Sequence, residues 1–368
     1  MKFACHKSSI LKEIVLALDF TSQRNTLSVV SNVYLETRNN TLYIRATDQK
    51  VGLKTQIPVE TIEEGATTVF CDKFLGILRS LPEETIIFEE ANEKLLIKVE
   101  NKASINFELR TISVDKYPSL EETDNLDYFA LSQKDLLAMI DQTIFAISDD
   151  ETRHFMNGVY LERDSAGLIM VATDGKRLSF IQRKTEREIP PFKSIIIPTK
   201  FLSLLKKGGG PEGEVELSIS DTIIYARMGH QVMYSALIKG QFPNYKRVIP
   251  ASQNFECKIA VDAVNEALKR VSLLVENKAK RIYLDLESNL LTISSEESDF
   301  GQAKEVIPCE YGGEQIRLAM NYTFLVSPLR VMEGDYLNIS FSDASRAVTV
   351  KPYPERDYFH IIMPMQKE

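Results

Sequence analysis

Hydrophobic residues recur at helical intervals of three or four in three segments that lie about one third of the chain apart. The residues that share one helical face are Leu11, Ile14, Val15 and Leu18 in the first segment, Leu137, Ile140, Ile144 and Ile147 in the second, and Val264, Leu268, Val271 and Leu274 in the third. A short strand-like stretch precedes each segment, at 2–6, 128–131 and 257–261. The pattern predicts one amphipathic helix near the start of each third of the chain.

A second helix is predicted within each third, beginning with a residue suited to N-capping and followed by an aromatic residue. These starts are Asp72 with Phe74, Thr199 with Phe201, and Asn321 with Tyr322 and Phe324. The third copy contains Pro328, and proline removes a backbone hydrogen bond from a helix interior. We therefore expect the third copy to be short or kinked.

Alternating polar and apolar residues predict β-strands in the remainder of the chain. Strands are expected at 41–46, 168–172 and 290–294, and hairpins at 86–99, 215–228 and 337–350. The predicted class is α+β, with three copies of one domain that has two helices packed on β-sheets. We place these domains at 1–125, 126–252 and 253–368, with boundaries in polar stretches that follow apolar runs.

The composition allows several hydrophobic cores, since the chain has 368 residues and is 44% hydrophobic. No apolar run of about 18 residues and no signal stretch occurs, so we expect a cytoplasmic protein. The four cysteines are far apart, which favours buried, reduced thiols over disulfides or a zinc site. A net charge of −8 excludes binding of nucleic acid through overall basicity, but it allows binding through one basic surface.

The sequence contains no set of residues typical of catalysis or of cofactor binding. The four histidines lack metal-ligand spacing, so neither a metal nor another cofactor is predicted. The glycines at 208–210 lack the spacing of a phosphate-binding loop and are expected to end a helix. Asp149, Asp150 and Glu151 are expected to lie in a solvated loop or at a helix start.

Basic residues concentrate on the six repeated helices and their flanks, whereas acidic residues concentrate in strands and loops. The basic set is Lys7, Lys12, Arg24, Lys73, Arg79, Lys134, Lys200, Lys206, Lys207, Lys269, Arg270, Lys278 and Arg330. Two interpretations stay open at this point. The helices have ordinary solvated faces, or they form a positive surface that holds a phosphate backbone without reading bases.

Six short motifs, in order along the threefold repeat, resemble the bacterial DNA-polymerase sliding clamp family over the whole chain. They are Met1-Lys2-Phe3, Gly65-Ala66-Thr67-Thr68-Val69, Asn157-Gly158-Val159, the stretch from Ala172 to Leu178, the stretch from Phe242 to Pro250, and Met363-Pro364-Met365. The resemblance implies a head-to-tail homodimer that forms a closed ring of six domains around double-stranded DNA. It implies a non-enzymatic role, in which the ring tethers the replicative polymerase.

The resemblance also implies roles for individual residues. The positions carried over to the DNA-facing surface are Arg24, Lys73, Arg79 and Lys200, and Asp150 departs from a glutamine found in some members. Leu273 and Leu274 are expected to contact Phe107 of the partner subunit. The alternative is that these three residues serve the cores of their own domains.

A partner-peptide pocket is implied in the second domain, at its border with the third. Its lining, carried over residue by residue, is Arg153, Met156, Thr173, Lys176, Leu178, Pro243, Arg247, Val248, Ile361, Ile362, Met363, Pro364 and Met365. The implied partners are the DNA polymerase III catalytic subunit, the clamp loader, and other polymerases and repair proteins. Lys176 and the ending Gln366-Lys367-Glu368 depart from the commonest pattern, which bears on peptide preference.

We expect the tail from Ile361 onward to lie outside the domain core, with its methionines forming an adaptable apolar wall. The alternative is that the methionines only cover a core edge. Two other functions also remain open. One is an enzyme or small-ligand protein that uses Arg153, Asp174 and Arg177, and the other is a scaffold that never contacts DNA.

Overall fold

The computed structural model describes residues 1–22, 28–119, 126–185, 187–276 and 278–366. The helices are α1 (Lys7–Phe20), α2 (Cys71–Ser80), α3 (Gln133–Thr143), α4 (Thr199–Gly208), α5 (Val261–Val271) and α6 (Tyr322–Leu329). The two predicted helices of each third are therefore present. None of the described helices is long and apolar enough to span a membrane.

Twenty-five strands make up most of the remaining structure in these ranges. In the first third they are β1 (Lys2–His6), β2 (Asn32–Arg38), β3 (Thr41–Thr47), β4 (Val51–Pro58), β5 (Glu60–Glu63), β6 (Gly65–Phe70), β7 (Thr85–Ala91), β8 (Lys94–Val99) and β9 (Lys102–Ile112). In the middle third they are β10 (Phe129–Ser132), β11 (Gly158–Arg163), β12 (Gly167–Thr173), β13 (Arg177–Lys184), β14 (Ile195–Pro198), β15 (Glu214–Ile219), β16 (Ile223–Met228) and β17 (Gln231–Ala236). In the last third they are β18 (Phe255–Ala260), β19 (Arg281–Glu287), β20 (Leu290–Ser295), β21 (Lys304–Pro308), β22 (Ile316–Asn321), β23 (Tyr336–Phe341), β24 (Val348–Tyr353) and β25 (Tyr358–Ile362). The predicted strands and all three predicted hairpins are present.

The chain forms two compact units, each assembled from two stretches of sequence. The first unit contains Met1–Lys134 and Lys200–Leu237, and the second contains Asp135–Thr199 and Ile238–Glu368. The middle third therefore contributes to both units. The boundaries that we predicted at 125 and 252 stay a prediction, and residue 125 lies outside the described residues.

The first unit is built on one antiparallel sheet in the order β10-β15-β16-β17-β4-β3-β2-β6-β9-β8-β7-β1-β5. Strand β17 of the middle third pairs with β4 of the first third, where Val232 lies opposite Lys54 and Ser235 opposite Val51. Backbone hydrogen bonds thus continue across the predicted domain boundary.

The second unit contains an eight-stranded sheet, β14-β11-β12-β13-β25-β24-β23-β18, and a four-stranded sheet, β21-β20-β19-β22. Here β13 of the middle third pairs with β25, the last strand of the chain, so that Leu178 lies opposite Ile361. This pairing brings together two segments that are distant in sequence, and the candidate site is built around it.

The predicted hydrophobic face is correct for most of α5, whereas in α1 only Ile14 of the four predicted residues is fully buried. In α5, Val264, Leu268 and Val271 are buried as expected, whereas Leu274 lies beyond the helix end and is half-buried. In α1 the buried residues are Lys7, Ile10, Glu13, Ile14, Leu16, Ala17 and Phe20, so that Leu11, Val15 and Leu18 are only half-buried. The buried face of α1 includes two charged residues, Lys7 and Glu13, which a pattern based on hydrophobicity assigns to solvent.

Glu13 is buried because its carboxylate accepts hydrogen bonds from its surroundings. The Thr55 hydroxyl lies 2.8 Å from Oε2, the Gln231 side-chain amide lies 3.1 Å from the same oxygen, and His230 lies 3.2 Å from Oε1. Buried carboxylates are tolerated when they are satisfied in this way. The Lys7 ammonium lies 3.4 Å from the carbonyl oxygen of Arg79 at the end of α2. Lys7 is therefore part of the fold and does not join a basic surface.

The buried face of α3 also differs from the predicted one. Ile144 and Ile147 lie beyond the helix, which ends at Thr143. Within the helix, Leu136, Met139 and Ile140 are buried and Leu137 is half-buried. The third copy of the second helix is short, as expected from Pro328: α6 has 8 residues, and α2 and α4 have 10 each. The Asn321 side chain caps α6 by accepting a hydrogen bond from the Thr323 amide, as predicted.

All four cysteines are buried and free, as predicted. Burial raises the pKa of Cys5 and of Cys71 to about 12, so both thiols are protonated at neutral pH. Gly209 donates a hydrogen bond to the carbonyl of Leu205 at the end of α4, which confirms the role predicted for this glycine run.

Candidate functional site

A tight turn between β12 and β13 forms one side of the candidate site. Asp174 accepts hydrogen bonds from the amides of Lys176 and Arg177, at 2.8 and 3.0 Å. The Thr173 hydroxyl, 2.6 Å from the carbonyl of Arg177, closes the turn, and Gly175 has a φ of +89°, which favours glycine. These bonds fix where β13 begins and leave the Lys176 side chain exposed.

The end of β25 and the tail form the adjoining side. Beyond the strand, the Met363 amide donates to the carbonyl of Lys176 and the Met365 amide donates to the carbonyl of Ala319, both at 2.8 Å. Met363 is 42% exposed, and Pro364 and Met365 are half-buried. The backbone of the tail is therefore tied down while its methionine side chains remain accessible.

Ile361 and Ile362 correct our expectation that the whole tail lies outside the core. Both belong to β25 and are buried, because this strand pairs with both β13 and β24. Successive side chains of a strand point to opposite faces. Ile361 packs in the apolar cluster that contains Leu178, whereas Ile362 packs in the separate core that contains Cys257.

A loop at 242–248 contributes the third side. Phe242 stacks on Tyr160 with ring centroids 4.7 Å apart, and the Tyr245 hydroxyl donates to Glu162 at 2.5 Å. Phe242 and Tyr245 join the cluster of Leu178 and Ile361. These anchors hold the short helical turn Tyr245–Arg247 in place. The neighbouring Pro243 is half-buried, and Arg247 and Val248 are exposed.

Arg153 joins the rim through two contacts. Its Nε lies 2.8 Å from Asp150, and one terminal nitrogen lies 3.2 Å from the carbonyl of Asp174. Asp150 also caps a short helical turn by accepting a hydrogen bond from the Thr152 amide, as predicted for a helix start. Hydrogen bonds from Thr152 and Arg153 lower the pKa of Asp150. Met156, three residues after Arg153, is buried, but it does not belong to the apolar cluster that contains Leu178.

This arrangement has an apolar floor, an exposed rim of valine, methionine and arginine, and restrained backbone on three sides. Such a surface suits an extended peptide with one or two apolar anchors, since the floor buries the anchors and the rim supplies polar contacts. Sequence reasoning omitted Phe242 and Tyr245 from the lining. Both lie in a motif that carried the resemblance, so their aromatic character was the available signal.

The alternative of an enzyme that uses Arg153, Asp174 and Arg177 fits this geometry poorly. Arg177 Nε is paired with Asp174 at 3.0 Å, its guanidinium also reaches the Ser327 hydroxyl at 3.2 Å, and it lies over the ring of Phe324 at 4.6 Å. Asp174 is occupied by the turn. In the described part of the chain no group of histidine, cysteine and acidic residues could hold a metal ion.

The basic residues predicted to face DNA differ in their surroundings. Lys73 and Arg79 are exposed on α2, whereas Arg24 lies outside the described residues. On α4, Lys200 Nζ lies 2.6 Å from Asp48, and Lys207 is paired with Asp19. On α5, Lys269 is paired with Glu266, and Arg270 contacts Glu305 at 2.7 Å. The basic helix faces are thus partly neutralised by local carboxylates.

Leu273 is 81% exposed, so it does not serve the core of its own domain. Leu274 and Phe107 are half-buried. That exposure leaves the Leu273 side chain available for contact with another subunit. The dimer contact of these three residues stays a prediction.

The structure thus combines helices that carry basic residues, antiparallel sheets, and an apolar site at the start of β13 and the end of β25. Comparison with known families gives three matches in order along the chain. The DNA polymerase III beta subunit N-terminal domain matches 1–121, its central domain matches 130–244, and its C-terminal domain matches 246–366.

The beta sliding clamp of Treponema pallidum is 42% identical to this chain, and that of Pseudomonas aeruginosa is 30% identical; both comparisons cover 100% of each chain. A crystal structure of the P. aeruginosa sliding clamp bound to griselimycin is 29% identical, with a TM-score of 0.94 and full coverage of both chains. The Bacillus subtilis clamp, at 22% identity and a TM-score of 0.95, shares the fold. The chain belongs to the DNA polymerase III beta subunit family, whose members are non-enzymatic sliding clamps.

Proposed function

We propose that two copies of this chain close head-to-tail into a ring around double-stranded DNA and tether the replicative polymerase to its template. The observation that carries the proposal is the full-length match to beta sliding clamps, domain by domain and in order. Retention on DNA is then topological, so contacts to phosphate can be weak and independent of sequence. A cytoplasmic location follows from this role.

The apolar site at β13 and β25 is proposed to bind short peptides of the polymerase catalytic subunit, the clamp loader and repair proteins. Leu178 and Ile361 would form its floor, and Met363 and Met365 an adaptable wall. The griselimycin-bound clamps of P. aeruginosa and Bartonella birtlesii support a ligand site on this fold. Methionine side chains suit this use because they repack around different anchors.

We propose that the subunits join through β9 and the region around Leu273. Strand β9 pairs with β8 over Lys102–Arg110, and the described pairing with β6 covers only Thr111 and Ile112. In the last third, β21 forms an edge of the four-stranded sheet, and Val306 on it is 52% exposed. The part of β9 beyond its described pairing with β6 and the edge strand β21 can pair between subunits, because exposed strand edges readily add another strand.

Loading onto circular DNA tests the ring directly. A clamp loader should place the protein on nicked circular DNA, where it stays through gel filtration at high salt, and cutting the circle should release it. A scaffold that never encircles DNA would not be retained on the circle. A protein held only by charge would be lost at high salt before the DNA is cut.

A further inference from the structure

A cleft in the first unit is lined by five charged side chains, and these include acidic as well as basic residues. Its volume is about 910 Å³, and it is lined by α1, by the turn between β3 and β4, and by α4. The charged residues are Asp19, Asp48, Lys50, Lys200 and Lys207, so three lysines and two aspartates give a formal sum of +1. Anions and cations are therefore nearly balanced where a basic patch was expected.

Each of the two α4 lysines is held by a carboxylate from a different element. Lys200 lies 2.6 Å from Asp48 in the β3–β4 turn, and Lys207 is paired with Asp19 on α1. Ser203 lies between the two lysines in sequence and also lines the cleft. Ammonium and hydroxyl groups are common donors to DNA phosphates, so this face of α4 has the chemistry of a phosphate contact.

The two carboxylate oxygens of Asp48 have separate partners. Its Oδ1 accepts the amides of Lys50 and Val51, at 2.8 and 2.9 Å, and so fixes the turn. Its Oδ2 accepts a hydrogen bond from the Lys200 ammonium at 2.6 Å. Burial raises the pKa of Asp48, but the bonds from Lys200, Val51 and Lys50 outweigh this and lower it, so the carboxylate is charged at neutral pH.

We propose that Asp48 competes with DNA phosphate for Lys200 and thereby limits the grip of the clamp on the duplex. The proposal rests on the proposed function, in which α4 faces DNA. A phosphate that approaches Lys200 must share or displace the Asp48 carboxylate. A lysine that is already neutralised by a carboxylate releases fewer counterions from the DNA when it contacts a phosphate. The binding is then weaker, and its dependence on salt concentration is less steep. A clamp that is retained by topology tolerates this loss and slides more freely.

Asp48→Asn tests the competition with little change to the fold, because asparagine keeps the oxygen that accepts the two turn amides and removes the charge beside Lys200. Affinity for a short linear duplex would be measured by fluorescence anisotropy over a series of salt concentrations. We expect about two- to fivefold tighter binding, the size of one partly exposed ion pair. The slope of log K against log salt should become steeper by about 0.9, for one additional phosphate contact.

Two further variants make the result specific. Glu89→Gln removes the same charge from an ion pair with Lys2, 3.2 Å apart, on β7 near the opposite end of the sheet, and should not tighten binding. In a Lys200→Gln background, Asp48→Asn should lose its effect, because the two residues then no longer interact. Thermal denaturation should give similar stability for the Asp48→Asn and unsubstituted chains.

The outcomes separate this inference from the proposed function. If Lys200→Gln weakens binding but Asp48→Asn leaves affinity unchanged or lower, competition is wrong and the DNA-facing role of α4 stands. If Asp48→Asn tightens binding equally with and without Lys200, the effect is one of general charge and the competition is again wrong. If Lys200→Gln has no effect at any salt concentration, even in the Asp48→Asn background, Lys200 does not contact DNA, and both the competition and its place on the DNA-facing surface are wrong.

Discussion

Two truncations separate the role of the C-terminal tail in peptide binding from its role in the core. Ending the chain after Ile362 removes the tail hydrogen bonds from Met363 to Lys176 and from Met365 to Ala319. Ending it after His360 also removes two isoleucines that are only 3% and 1% exposed. The comparison isolates the exposed methionines from the last buried residues of β25.

The structure gives the expected sizes of the two effects. Each tail hydrogen bond contributes about 0.5–1.5 kcal/mol to stability, so the shorter deletion should lower the free energy of unfolding by about 1–3 kcal/mol. Each buried isoleucine contributes about 1.5–3 kcal/mol, so the longer deletion should lower it by about 4–9 kcal/mol. Peptide binding should weaken about 30-fold in the shorter deletion, because loss of a central anchor wall costs about 2 kcal/mol, and it should weaken at least as much in the longer deletion, which also removes Ile361 from the floor.

Urea denaturation measures the stability of the truncated chains, and anisotropy titration with a labelled peptide containing glutamine and leucine-phenylalanine anchors measures their affinity. Lys12→Ala is the control, since this exposed residue lies on α1 in the first unit, outside the peptide site, and should change neither quantity. Full affinity after removal of the residues beyond Ile362 would refute the pocket assignment. An equal loss of stability in both truncations would refute our description of where the core ends.

Three other perturbations follow from the structure. Replacing Leu273 and Leu274 by aspartate should raise the dimer dissociation constant, measured by sedimentation, more than about tenfold. Burial of one leucine contributes about 1.5–3 kcal/mol, and an unpaired charge in its place is unfavourable. An intact dimer would place the interface elsewhere. Lys73→Glu with Arg79→Glu should reduce loading and flatten its salt dependence without splitting the dimer, and unchanged loading would count against a DNA-facing α2. Burial lowers the pKa of His360 to about 3, whereas the pKa of a histidine in the unfolded chain is about 6.5. The free energy of unfolding should therefore fall as the pH drops from about 6.5 towards 3. His360→Gln should flatten this slope, and an identical slope would show that other groups cause it.

The repeat was predictable because each helix and hairpin has a local signal. The alternation of apolar residues, the hairpin at 86–99 and the cap at Asn321 depend on a few neighbouring residues, and all three appear in the structure where the sequence indicated. The pairing of β17 with β4 and of β13 with β25 has no local signal. It depends on which strand edges meet after folding, so the sequence pattern did not indicate which strands pair across the predicted domain boundaries.

Errors in the predicted helix faces have a physical cause that periodicity does not contain. The buried face of α1 includes Glu13 and Lys7, which hydrogen bonds make tolerable. A pattern based on hydrophobicity assigns such residues to solvent. The same limit applies at the site, where Ile361 and Ile362 are equally apolar but point into different clusters. Only the strand register decides which of them lies beneath a bound peptide.

The charges at the cleft explain how an acidic protein can be suited to a polyanion without binding it tightly. A uniformly basic surface would neutralise many phosphates, and each neutralised phosphate adds to the affinity of the protein for DNA. Pairing Lys200 with Asp48 and Lys207 with Asp19 keeps the ammonium groups on α4 while lowering their net charge. A closed ring stays on DNA even when its contacts to phosphate are weak. Selection can therefore favour a ring that moves easily along the duplex.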